Sequence, residues 1–158
     1  MIGGRFAHFD NGVVLLPNTL MNEGAELLMK MIFQNAAIGG GSNFYVGLCS
    51  DTITGKGMDL TDIVGEPVGF GYARQVLALN STDWPDPVTT NDVTKIISKT
   101  VAFTAAGGPF NVAISRMFLT NVLTGTAGIL FALSAALENP LTVADTTTEN
   151  FTYEFYWI

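Results

Sequence analysis

The last eight residues constrain the fold more than any other stretch. Phe151, Tyr153, Phe155 and Trp157 fall on one side of an extended chain, and Thr152, Glu154, Tyr156 and Ile158 on the other; a period of two belongs to a strand, not to a helix. An aromatic face of that size has to be covered, so this strand is expected inside a sheet or at a subunit contact. Further strand-like runs, bounded by Gly, Pro, Asn or Asp, lie at residues 43–49, 72–79, about 94–104, 112–121 and 128–137. Six or more strands without alternating helices argue against a parallel α/β design. They predict a mostly β fold, an antiparallel two-sheet β-sandwich of jelly-roll or Greek-key type.

One helix is expected, at about residues 20–35, where Leu20, Gly24, Leu27, Leu28, Met31 and Ile32 recur at three- and four-residue spacing. Asn18 or Thr19 is its candidate N-cap, and Gly39-Gly40-Gly41-Ser42 its stop. Residues 1–18 mix glycines with Phe6, Phe9, Val13, Val14, Leu15 and Leu16 and show no sustained period, which predicts an extended N-terminal arm lying along its own domain or over a neighbouring subunit. The expected organisation is that arm, then a single sandwich domain over 19–158 that opens with the helix. Residues 50–71, rich in Gly, Asp and Thr, read as a long loop.

Charge decides what such a domain can work on. Charged residues make up only 13% of the 158 and hydrophobic ones 48%, against roughly 25% charged in ordinary soluble domains. A surface with so little charge presents apolar area that needs a partner, so assembly is expected, most simply as a homo-oligomer. The formal charge of -7 repels phosphate backbones and argues against nucleic acid. The uncharged stretch at 117–136 nearly reaches spanning length, but Thr120, Asn121, Thr124, Gly125, Thr126 and Gly128 interrupt it; two short strands around a loop fit better than a membrane helix. No basic region followed by an apolar run and a cleavage site opens the chain.

Catalytic patterns are missing from the sequence. The lone histidine, His8, lies in the expected arm and reads as a contact residue. Cys49 is the lone cysteine, expected as a buried thiol, and no His or Cys cluster supports zinc. The loop acids Asp51, Asp59, Asp62, Glu66, Asp83, Asp86 and Asp92 form no recognisable pair and no calcium-binding loop. Gly55-Lys56-Gly57 and Gly69-Phe70-Gly71 read as turns, since neither has the phosphate-loop pattern. No enzymatic activity and no cofactor is expected. Trp84, in the proline-stiffened Thr82-Asp83-Trp84-Pro85-Asp86-Pro87, is the candidate loop contact, since an exposed indole suits a sugar ring.

Four segments carry a resemblance: Asn22-Glu23-Gly24-Ala25-Glu26-Leu27-Leu28, Phe44-Tyr45-Val46-Gly47-Leu48-Cys49, Gly65-Glu66-Pro67-Val68-Gly69-Phe70-Gly71-Tyr72-Ala73-Arg74-Gln75-Val76 and Gly128-Ile129-Leu130-Phe131-Ala132-Leu133. In this order, over residues 20–158, the chain resembles small structural proteins of tailed-bacteriophage virions. The resemblance implies a β-sandwich accessory subunit assembled in the bacterial host cytoplasm, with other capsid, neck or tail proteins as partners and no catalytic residue to carry over. The leading expectation is a capsid or neck decoration (cement) subunit with assembly contacts through Phe6, Phe9, Val13, Leu15, Phe151, Tyr153, Phe155 and Trp157. The alternative is a tail-fibre or baseplate module that binds a host receptor or sugar through Trp84.

Overall fold

The structure is a computed structural model that describes residues 2–9, 13–34, 37, 43–50 and 55–157; at 2, 3, 9, 13–16 and 157 it describes the backbone alone. Among these described residues, ten strands and one α-helix follow in the order β1 (Ile2–Phe9), β2 (Val13–Leu20), α1 (Asn22–Gln34), β3 (Asn43–Cys49), β4 (Gln75–Ala78), β5 (Val88–Thr90), β6 (Val93–Ile97), β7 (Val101–Thr104), β8 (Arg116–Thr120), β9 (Leu130–Ser134) and β10 (Thr148–Trp157). The strands form one antiparallel sheet of order β4-β3-β8-β9-β2-β1-β10-β6-β5, with β7 also paired to β10. The mostly β expectation holds, with the strands joined in one continuous sheet.

Residues 2–9 and 13–20, expected for the most part as an extended arm, are built into the sheet. They are β1 and β2, and they occupy the middle of the sheet path. β2 links two halves: Val13–Pro17 pair with β1, and Asn18–Leu20 with β9. The helix is therefore the third element rather than the opening one. Its expected N-caps do not act as such, since Asn18 and Thr19 belong to β2 and Asn18 Nδ2 donates to the Tyr153 hydroxyl at 2.7 Å; the expected stop at residues 39–42 lies outside the described ones.

The run at 94–104 is two strands, β6 and β7, set along the same edge of β10. Ser98 makes the break: its N–H donates to Tyr153 O at 2.8 Å and its Oγ accepts from Tyr153 N at 2.9 Å, so the chain can step between the strands without orphaning β10's backbone. The β5–β6 hairpin turns on Asn91 and Asp92, both at positive φ (50° and 63°), the arrangement a two-residue type I′ hairpin needs. Residues 117–136 are indeed β8, a loop and β9. Among the described residues, no helix is long and apolar enough to cross a membrane.

Side chains from both halves of the sheet share one core. Phe6, Phe103, Phe151 and Tyr153 come from β1, β7 and β10, and Val46, Leu48, Leu77 and Leu119 from β3, β4 and β8. Phe6 meets Tyr153 edge-on at 4.7 Å, and Phe103 meets Phe151 at 5.8 Å, geometries that aromatic quadrupoles favour. A smaller cluster of Met21, Cys49, Met58, Leu60, Phe118, Leu130 and Leu133 lies beyond β3, β8 and β9. The loop after residue 54 thus covers its own sheet: Met58 and the one-turn 3₁₀ helix Leu60–Asp62 supply the cover. Cys49 is fully buried there.

Candidate functional site

The candidate assembly contacts divide sharply. Phe6, Phe151 and Tyr153 are interior residues of this chain's own core and present nothing to a partner: the segment expected as an arm pairs with β10 inside the sheet, and side chains from the other half of the sheet share the core with theirs. Phe155 is half-buried at the edge of that core. The side chains of Phe9, Val13, Leu15 and Trp157 lie outside the described residues. His8 is buried on β1, stacked on Phe151 at 4.7 Å, with Nε2 2.7 Å from Glu149 Oε2. Among the described residues, no group of three or more His, Cys, Asp or Glu side chains is placed to hold a metal.

Exposed large apolar side chains are spread over the molecule, and three of them lie together on α1. Its inner side carries Gly24 and Leu27, both buried, with Leu28 and Met31 packed on the core. Its outer side carries Met29, Ile32 and Phe33, exposed by 54%, 56% and 73%. Ile32 sits one turn beyond Leu28, so the outer stripe continues from the inner one. Of the residues whose period predicted the helix face, Gly24, Leu27, Leu28 and Met31 face the core, whereas Leu20 ends β2 and Ile32 is exposed, because residue type alone does not separate the inner from the outer stripe.

α1 approaches the sheet unusually closely. A Cβ on Gly24 would stand 2.2 Å from Phe131 O. That carbonyl accepts from Met21 N at 3.0 Å, and Phe131 stands unopposed between the pairs Leu119–Ala132 and Thr120–Leu130, as a β-bulge residue does. Glu23 Oε2 takes the neighbouring Leu130 N–H at 3.1 Å. The helix start thus satisfies backbone groups that the bulge releases.

Between α1 and residues 79–84 lies a cavity of about 390 Å³, with Leu28, Met31, Leu119, Phe131, Tyr153 and Trp84 among its walls. The turn that builds its outer wall follows from its sequence. Asn80 Oδ1 accepts from Thr82 N and Asp83 N, and Trp84 N donates to Asn80 O. Asp83 Oδ2 accepts from Ala78 N at 2.7 Å and from Lys99 Nζ at 2.8 Å, and the Lys99 ammonium, more than any other neighbour, holds the Asp83 carboxyl below its ordinary range. Anchored this way, Trp84 is half-buried and meets Tyr153 edge-on at 6.2 Å. The exposed loop indole expected from the sequence is a wall of the core, and its Nε1 is buried without a partner.

The segment ending Gly71-Tyr72-Ala73-Arg74 is a clamp. Arg74 Nε and Nη2 donate to Glu66 Oε1 and Oε2 at 2.8 and 2.7 Å, and Nη1 to Val122 O at 3.0 Å. Tyr72 donates to Glu66 Oε1 at 2.8 Å and accepts from Leu48 N at 3.0 Å. Burial, first, and the Glu66 carboxylate, second, push the Tyr72 phenol well above its ordinary range. These residues fasten the long loop to β3 and to the connection after β8. No protein-family model matches this chain, and no curated protein or solved structure shows significant similarity to it.

Proposed function

We propose that this chain is a structural subunit of a tailed-bacteriophage virion, a capsid or neck accessory (decoration or cement) protein that works by packing against copies of itself and other virion proteins, without catalysis. The observation that carries the packing role is the outer stripe of α1: three large apolar side chains side by side on the surface of a chain with only 13% charged residues. Large adjoining apolar residues on a surface mark a contact with another protein. The virion setting rests on the four-segment resemblance. The single sheet, bent about β2 with a core shared by its two halves, is compatible with a sandwich of jelly-roll or Greek-key type, in which a strand can pass from one layer to the other.

The sugar-binding alternative loses the support Trp84 gave it, since that indole packs on Tyr153 among walls offering few of the hydrogen-bonding groups a sugar requires.

Size-exclusion chromatography with light scattering tests the packing role. The wild-type chain is expected as an oligomer and the Ile32→Glu/Phe33→Glu variant as a folded monomer. A monomeric wild-type chain that also fails to bind purified virions would remove the proposal. Immunogold labelling of virions tests the setting, with label expected at the head or neck.

A further inference from the structure

On the outer face of the sheet, strand register brings two cations to one acid. Arg5 of β1 lies opposite Glu154 of β10, and Lys95 of β6 lies opposite Tyr156, two residues further along β10. Residues 154 and 156 point to the same side of a strand, so the four side chains share a face. Arg5 Nη2 stands 2.6 Å from Glu154 Oε1, and Lys95 Nζ stands 3.4 Å from Oε2, longer than an ordinary charge-assisted bond. Lys30, Arg74 and Lys99 each have an acid of their own. Here one carboxylate serves two cations and leaves one positive charge over, on a chain whose formal charge is -7. Together with Thr90 and Val93, these side chains line an open cleft of about 370 Å³, within the range of small-molecule sites. Gly3, paired with Tyr156, adds no side chain to that row. Glu154 is 9% exposed, whereas Arg5 and Lys95 keep 34% and 37% of their side chains exposed, so an anion entering the cleft meets the cations before the acid. Asp92, in the β5–β6 turn, is exposed and is not a lining residue.

We propose that this cleft binds a small organic monocarboxylate with an apolar body, its carboxylate on Lys95 and Arg5 and its body on Tyr156 and Val93. Lys95 is held loosely by Glu154 and has three N–H donors to share. The Arg5 guanidinium lies 5.9 Å from the centre of the Tyr156 ring, so an acid bound to it has an aromatic face within reach. The single surplus charge suits a monoanion, because a second negative charge on the ligand would face Glu154 with no cation of its own. Water and salt reach the open cleft and screen the attraction, which makes binding weak and salt-sensitive. This inference does not rest on the packing role. An oligomer that binds no acid leaves that role standing, and a monomer that binds one leaves this site standing.

The test uses the whole chain and three probes: benzoate, benzamide, which keeps the ring and removes the charge, and sulfate, which has charge and no apolar body. Nitrogen-15 NMR reads the backbone amides of Lys95 and Tyr156. Benzoate at millimolar concentration is expected to move both, to bind about tenfold more tightly than benzamide and more tightly than sulfate, and to weaken as sodium chloride is raised. Lys95→Gln removes one charge from a side chain 37% exposed and should bring benzoate down to the affinity of benzamide while circular dichroism stays unchanged. Lys30→Gln removes a charge from the exposed face of α1 and should leave benzoate binding as it is. The proposal is overturned if benzoate moves neither amide, if benzamide or sulfate binds as tightly as benzoate, or if Lys95→Gln leaves benzoate binding unaltered. An equal loss in Lys30→Gln would make overall charge the cause and overturn it as well.

Discussion

Arg74 shows how one side chain can fix a long loop. Its guanidinium spans the Glu66 carboxylate and the Val122 carbonyl and lies 5.1 Å from the Phe118 ring centre, a combination that needs the planar fork of arginine. Arg74→Ala should lower the unfolding free energy by about 3 kcal/mol, the lower end for a broken buried pair, because Glu66 keeps 27% of its side chain exposed. Arg74→Lys should recover only part of it, as read from urea denaturation. The buried tyrosines predict an alkaline limit. Tyr72 and Tyr153 both have phenols pushed above the ordinary value of 10, chiefly by burial. The unfolded chain releases these protons near pH 10 while the folded chain keeps them, so the folded state binds more protons and stability falls as pH rises above 10. Ultraviolet titration at 295 nm should therefore show these two phenols ionising only together with the loss of far-ultraviolet dichroism.

At the scale of elements, the seat of α1 on β9 depends on having no side chain at Gly24. Alanine there gains about 1 kcal/mol of helix propensity but drives a methyl into the Phe131 backbone, and backbone cannot swing aside as a side chain does. The net effect should be a loss of about 1–2 kcal/mol, seen as a lower melting temperature of Gly24→Ala. The turn after β4 is held by charge as well as by shape. Asp83 accepts from Lys99 and Ala78 and has its pKa lowered from 3.8. A depressed carboxyl stabilises the fold above the unfolded value and loses that contribution as pH falls through the folded one. Asp83→Asn should thus be less stable than wild type at pH 7, by about 1 kcal/mol for a charge-assisted hydrogen bond, and the difference should shrink below pH 4. Comparing urea midpoints at the two pH values checks this.

For the whole molecule, the position of β1 and β2 governs what a truncation does. They join β9 to β10, and Phe6 is fully buried, so removing residues 1–17 takes out β1 and most of β2 and splits the sheet. The truncated chain should lose cooperative thermal unfolding altogether, where removal of a loose arm would weaken attachment and leave the domain folded; differential scanning calorimetry separates the two. The sequence by itself determined the class of elements. Alternation at 151–157, strand-like runs ending at turn residues and one amphipathic stretch at about 20–35 are local patterns, legible because a strand face repeats every two residues and a helix face every three to four. Three further elements escaped that reading. β5 is three exposed residues with no apolar face to betray it, and β1 and β2 read as an arm because residues 1–18 show no sustained alternation. Partnership depends on residues far apart in the chain. Only the tertiary structure put Phe6 against Tyr153, turned Trp84 inward over a cavity, and placed Phe151 and Tyr153 of the last strand in the core. Those aromatic side chains are buried because residues from the other half of the same sheet pack with them in one core, while Met29, Ile32 and Phe33 of α1 stay exposed.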